Sequence, residues 1–254
     1  MAGRRDYPDH RRALLLLWRS AEEPSPRSGL TVDRIVDAAI AIADADGLPA
    51  LSMRRVAERL GVGAMSLYTY VPGKDELVIL MVDRVYAELS TEHREDASWR
   101  ERLEAIARER WTLYRRHPWL IDVPLTRPTV GPHAMDRYEH ELRAVEGLGL
   151  DDLEMNAVIE LISGHVEGMA GRAVEIRRDA ERSGVSDDEW WYSVLPVLST
   201  VMADRHYPVS ARVGSTIGAP HQPTEYGFEF GLTRILDGVE SLVRSRGGAA
   251  GAPA

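Results

Sequence analysis

Cysteine is missing from all 254 residues, so nothing in this chain demands a disulfide and its fold rests on packing. A reducing compartment is compatible with that absence. A membrane-length apolar run is missing too: the leucine-rich stretch from Ala13 to Trp18 is bounded by arginines and is too short to span a bilayer. No small-residue cleavage pattern follows Trp18, which leaves secretion unsupported and a cytoplasmic protein as the expectation. Strand signals are absent as well. Positive charge is scarce overall, and the formal net charge of -9 excludes a protein that coats nucleic acid along its whole surface.

What basic charge there is lies together. From Leu51 to Lys74 the charged residues are Arg54, Arg55, Glu58, Arg59 and Lys74, a single acid among them. Residues 1–29 carry Arg4, Arg5, Arg11, Arg12, Arg19 and Arg27 against Asp6, Asp9, Glu22 and Glu23. The excess acid therefore falls elsewhere, a distribution that suits a small DNA-reading end on a body with another task. With 44% hydrophobic residues the chain can bury a full core, in one large domain or two ordinary ones.

Periodicity and punctuation predict an all-α protein of about nine helices. Residues 1–29 read as a flexible arginine-rich arm around a helical turn or two. Thr31 caps a helix that shows Ile35, Ala38, Ala39 and Ile42 on one face and stops at Gly47. After Pro72 and Gly73 a long helix sets Leu77, Leu80, Met81, Val85 and Leu89 at helical spacing. Another follows from Trp99 to His117, then a stretch with Pro118, Pro124, Pro128 and Pro132 that cannot be one helix. Helices are expected over 132–148, over 151–181 with Asp151 or Asp152 as cap, over 187–205 with a bend at Pro196, and over 223–246. Residues 208–222, rich in Pro, Gly and Ser, read as a loop. The division predicted is an arm at 1–29, a three-helix helix-turn-helix domain at 30–76, a larger helical ligand-binding and dimerisation domain at 77–246, and a disordered tail at 247–254.

The chemistry is densest in LSMRRVAERLGVGAMSLYTYVPGKDEL, residues 51–77. Ser52 can cap a helix from Met53 that buries Val56, Ala57 and Leu60 and turns its arginines and Glu58 outward. Gly61 ends it in the left-handed conformation that a tight turn requires, and Val62 plugs the gap between two helices. The second helix, from Gly63 to Tyr70, starts with small residues that allow close approach to a groove. Ala64 and Met65 suit a thymine methyl, Ser66 either a donor or an acceptor, and Leu67 points back to the core. Arg54 can reach a guanine edge or a phosphate, and the base is favoured. Ser52, Thr69, Tyr70 and Lys74 are placed at phosphates, Lys74 beside the free N–H groups of the next helix start. The plainer alternative is that two short amphipathic helices around a glycine are ordinary packing, with Tyr68 and Tyr70 as core residues.

These residues carry a resemblance. The segments TVDRIVDAAIAIADADG, LSMRRVAERLGVGAMSLYTYV and PGKDEL, spanning Thr31 to about Val82, resemble the DNA-binding domain of the tetracycline-repressor (TetR) family. The resemblance implies a homodimeric transcriptional regulator, usually a repressor, whose larger helical domain binds a small molecule. It also implies that Arg54, Ala64, Met65 and Ser66 meet bases while Thr69, Tyr70 and Lys74 hold phosphates. Farther on, YGFEFGLTRILDGVESLV is similar to the branch that contains the tetracycline repressor itself.

A short recognition helix discriminates by about 1–3 kcal/mol for each good contact, so pairing two such helices one duplex turn apart explains why a dimer is needed. The expected interface uses Gly164 and Gly168 on one long helix and Gly231, Leu232, Ile235 and Val239 on another. Intramolecular packing of the same faces is the alternative. The expected effector pocket draws on Trp111, Tyr114, Trp119, Tyr138, His165, Met169 and Trp191, with the proline-rich stretch as a wall. His117, His133, His140, His165, Glu160 and Glu167 show no convincing metal spacing. Magnesium enters only if the effector is a tetracycline-like chelator, as the resemblance allows. The mechanism expected is two-state linkage through the helix that begins at Lys74. An all-helical enzyme, drawn from His165 with Glu160 or Glu167 or from His117 near Asp122, lacks any nucleophile elbow, phosphate loop or metal motif. An interaction scaffold is the other rival class, tested by mutating Ser66, Tyr70 and Lys74, and a ligand-responsive activator of the same fold differs only in operator position.

Overall fold

Capping side chains decide where several elements of this chain begin. The computed structural model describes residues 10–19, 29–92, 94, 96–124, 129–218 and 224–249, whose regular structure is entirely helical. The α-helices are α1 (His10–Leu17), α2 (Val32–Asp46), α3 (Met53–Leu60), α4 (Ala64–Leu67), α5 (Lys74–Tyr86), α6 (Trp99–Arg116), α7 (Pro132–Arg143), α8 (Asp152–Ser183), α9 (Asp187–Val201), α10 (Pro208–Ile217) and α11 (Thr224–Ala249). Short 3-10 turns occupy Leu48–Ala50 and Pro118–Asp122. No helix among the described residues is long and apolar enough to cross a membrane.

Thr31 Oγ1 accepts from the Arg34 N–H at 3.1 Å, and Ser98 and Ser186 form reciprocal capping boxes with Glu101 and Glu189. Asp151 Oδ1 accepts from the Glu154 N–H at 2.8 Å while Glu154 Oε2 accepts from the Asp151 N–H at 3.1 Å, which makes Asp151 the cap of α8. Each such cap is worth about 1 kcal/mol.

One helix falls where a helical turn or two was expected, and another where a loop was. Within the stretch expected to be a flexible arm, α1 buries Ala13 and Leu17 and packs on α5, and Trp18 Nε1 donates to the Val130 carbonyl at 2.9 Å. Residues 1–9 and 20–28 lie outside the described residues. The expected loop at 208–222 contains α10, because Pro208 stands at the first helical position, where a missing N–H costs nothing, and Gly218 is the left-handed cap after the end. Both punctuating residues sit at helix ends rather than inside a loop. At the other terminus α11 reaches Ala249, three residues into the expected tail.

Compactness divides the chain between Ile159 and Glu160. The expected division at 76/77 lies in the first turn of α5, whose Leu77, Leu80, Met81, Val82 and Val85 are buried and which packs on α1, α2 and α7. In the second unit Ile162, Val166, Ala170 and Val174 of α8 and Phe228, Leu232, Leu236 and Val239 of α11 are buried at four-residue intervals, apart from one of three.

Candidate nucleic-acid interface

The reading segment is built from its turn outward. Ser52 Oγ accepts from the Arg55 N–H at 3.2 Å and starts α3. Gly61 ends it at φ 69 and ψ 28, a left-handed conformation that lets its N–H reach the Ala57 and Glu58 carbonyls and the Val62 N–H reach Ala57 O. Behind this turn Met53, Val56, Ala57, Leu67 and Val71 are buried. Leu60, expected in the core, is only half-buried. Arg55 is drawn backward, to Asp46 Oδ2 at 2.5 Å and the Ala50 carbonyl at 3.5 Å, and so ties α3 to the end of α2.

The second helix is shorter than expected. α4 ends at Leu67, and residues 68–70 form turns in which the Tyr70 and Val71 N–H groups both donate to Leu67 O at 2.9 Å. Pro72 keeps Val71 extended, so no helix continues past these turns. Met65 is 79% exposed, Ser66, Tyr68 and Thr69 are exposed, and Ala64 and Tyr70 are half-buried. An apolar side chain as open as Met65 has no packing role inside the chain.

Two cations frame these residues. Lys74 opens α5, is exposed, and donates to the Leu48 carbonyl at 3.5 Å. Arg54 stands 85% exposed at the start of α3, its Nε donating to Glu58 Oε1 at 2.8 Å, and that bond holds the guanidinium pKa above its already high ordinary value. The predicted base set Arg54, Ala64, Met65 and Ser66 and the predicted phosphate set Ser52, Thr69, Tyr70 and Lys74 thus all belong to one cap-turn-helix segment and the helix start that follows it.

Two polar junctions behind this surface escaped the sequence reading. His117, 4% exposed, has Nδ1 at 2.7 Å from Asp44 Oδ1 of α2 and Nε2 at 3.0 Å from Glu88 Oε1, just after α5. Trp119 Nε1 donates to the same Asp44 oxygen at 2.7 Å, and Arg116 pairs with Glu88. His117 is thereby the partner of Asp44 and Glu88 rather than of Asp122. Asp83, 3% exposed, accepts from the Ala134 N–H at 2.9 Å and caps α7 from α5. Burial raises its pKa, and the bond from the Ala134 N–H opposes this. The signal was present in the sequence as the lone acid among Leu80, Met81, Val82 and Val85.

Because the folded pKa of Asp83 lies above its unfolded value, its contribution to stability is complete below the unfolded pKa and is lost as pH rises through the folded one. We predict that Asp83→Asn gains stability relative to the native chain as pH increases from about 4 to 7. Urea unfolding at several pH values checks this, and a constant difference across the range would refute it.

The expected effector residues divide between the two compact units. Trp111, Tyr114, Trp119 and Tyr138 are in the first, and His165, Met169 and Trp191 in the second. Trp119 is held by Asp44, and the Tyr138 hydroxyl donates to Asn156 Oδ1 at 2.8 Å. None of the seven lines the first-unit cavities of about 250, 250 and 450 Å³, the first bounded by Arg19, Asp33, Asp83, Arg84 and His133.

The residues expected at the subunit interface have the following surroundings within one chain. Leu232 and Val239 are buried within the chain itself, and a Cβ on Gly231 would overlap the His165 ring, only 2.8 Å from Nε2. His165 Nε2 lies 2.9 Å from the Phe228 carbonyl and its ring stacks on Phe228. These residues close α8 on α11 internally. Gly164 and Gly168 are exposed with open space before them, and Ile235 is half-buried.

A buried-backed, left-handed turn presenting an exposed Arg54, Met65 and Ser66 defines a helix-turn-helix DNA-binding protein with an all-helical body. Residues 35–81 match the model of the bacterial regulatory proteins of the tetR family, and residues 92–243 match the tetracyclin repressor-like C-terminal domain. The chain belongs to the TetR family: it is a DNA-binding transcriptional regulator that dimerises, not an enzyme. It is 48% identical over 250 residues, 94% of this chain and 89% of the relative, to the HTH-type transcriptional repressor DrrR1 of Streptomyces coeruleorubidus. Among solved structures it is similar to the TetR family protein ActR of Streptomyces coelicolor. The complex with (S)-DNPA gives TM-score 0.67 and 30% identity over 84% of this chain and 98% of that one. The complex with actinorhodin gives 0.68 and 28% over 84% and 96%.

Proposed function

We propose that this regulator is a cytoplasmic repressor that binds a palindromic operator as a homodimer and leaves it when a small organic effector enters the body. The exposed face of α3 and α4 carries the reading. Arg54, Ala64, Met65 and Ser66 address base edges, and Ser52, Thr69, Tyr70 and Lys74 hold phosphates and fix register. Repression is supported by the description of DrrR1, and an organic effector by the two ligands bound to ActR. The aromatic side chains Trp111, Tyr114 and Tyr138 of α6 and α7 are the proposed effector wall. The donors do not gather for magnesium: among the described residues no group of three or more His, Asp or Glu side chains is set to hold a metal ion.

Effector and operator oppose each other by one coupling free energy, carried by α5, which has Lys74 in its first turn, Asp83 toward its far end and Glu88 just beyond it. In a gel-shift titration with planar aromatic compounds, tested with and without magnesium, the true effector weakens operator affinity; an affinity unchanged by every stabilising compound would overturn derepression. Lys74→Ala is expected to weaken specific and random DNA alike and to lower the salt slope by about 1. An unaltered slope would take Lys74 off the phosphate list.

A further inference from the structure

Glu58 is out of place on a face that meets phosphates. Its carboxylate is 59% exposed one helical turn after Arg54, on the helix that opens the reading segment. A free acid there repels the duplex, so the question is what the charge does for its neighbour. Its oxygen takes Nε of Arg54 at 2.8 Å, and only that nitrogen. A guanidinium carries five donors in a rigid planar fork, so pinning Nε fixes the plane and leaves the paired Nη1 and Nη2 edge pointing along the side-chain axis. That edge is the one that matches the O6 and N7 acceptors of guanine. Arg55, the next residue, is turned the other way by Asp46, so one arginine of the pair serves the fold and the other is presented outward.

We infer that Glu58 is a positioning residue that holds Arg54 for end-on reading of a guanine, so that each operator half-site contains one G·C pair whose recognition depends on both side chains. The inference rests on the base-contact reading of Arg54 proposed above. A carboxylate beside an arginine lowers its net attraction for phosphate, which favours a partner that rewards orientation over charge, as a base edge does. The ordinary role of a surface ion pair four residues apart is slight helix stabilisation, which leaves base preference untouched.

The test uses the full-length dimer and an operator selected from random duplexes, with affinities measured for every single base-pair change in one half-site. The native protein is expected to prefer G·C at one position by on the order of 10- to 100-fold. Arg54→Ala abolishes that preference. Glu58→Ala reduces it at the same position to about 3-fold or less, while leaving random-duplex affinity equal or tighter because an anion has been removed. Glu58→Gln, which keeps an acceptor for Nε, falls between. The double variant discriminates no worse at that position than Arg54→Ala. If Arg54→Ala loses the preference and Glu58→Ala retains it in full, the positioning role is overturned and the base contact stands. If Arg54→Ala alters affinity equally at all positions, the base-contact reading itself fails and the inference with it.

Discussion

Replacing His117 with alanine is expected to lower the folding stability of the first unit by about 3 kcal/mol. Three observations set that size. The imidazole is 4% exposed, so its removal leaves a hole where the end of α6 meets α2. Both ring nitrogens have carboxylate partners, at 2.7 and 3.0 Å, and hydrogen bonds to charged groups contribute about 1.5–3 kcal/mol each. Against this, the Asp44 and Glu88 side chains are 32% and 33% exposed and can turn to water, and Glu88 keeps Arg116, so the full penalty of a stranded buried charge does not apply. Urea unfolding of His117→Ala, Asp44→Asn and the double variant isolates the bridge. A coupling of about 1 kcal/mol or more is expected, and strictly additive losses would show that the bridge is geometric only.

The consequence for function follows from the elements joined. Asp44 lies near the end of α2, the first helix of the reading domain; Glu88 follows α5; His117 closes α6, which carries Trp111 and Tyr114. A side chain bonded to both carboxylates therefore fixes the exit of α5 relative to the helix that the proposed effector touches. Asp83, within α5, does the same for α7. Asp83 on α5 and Glu88 just after it are two polar anchors within six residues that hold this segment to α6 and α7, the helices of the proposed effector wall, and each anchor has a defined geometry to lose.

Legibility in the sequence tracked how local the physics is. Thr31, Ser52, Gly61 and the α3–α4 segment were readable because a cap or a left-handed turn involves residues within five positions of each other. The end of α4 at Leu67 is not marked by Pro72, which constrains only Val71. α10 was missed because Pro208 and Gly218 have the same signature in a loop as at the two ends of a helix. The His117 bridge joins residues 73 and 29 positions apart and leaves no periodic trace. On α11, Gly227 and Gly231 lie close to Met169 and His165 of α8, whereas Gly164, Gly168 and Gly238 have open space before them, and glycine spacing alone does not separate a contact within one chain from one between two.

That contrast gives the second large effect. Gly231→Ala is expected to destabilise the second unit by about 2 kcal/mol, although alanine favours a helix over glycine by about 1. The new Cβ would occupy the His165 ring, 2.8 Å from Nε2, so the ring must leave Gly231 and give up its contact with the Phe228 carbonyl and its stack on Phe228. Gly238, two turns later on the same helix, has nothing within 4 Å of such a Cβ, and Gly238→Ala should therefore stabilise by about 1 kcal/mol from propensity alone. The same substitution on one helix is thus predicted to have opposite signs. Adding His165→Ala to Gly231→Ala should return part of the loss, because the methyl then fills space that the ring has vacated. Unfolding followed across a range of protein concentrations distinguishes the alternatives: a penalty that tracks dimer dissociation and is not relieved by His165→Ala would return Gly231 to the subunit interface, while a concentration-independent penalty relieved by it fixes the contact within the chain.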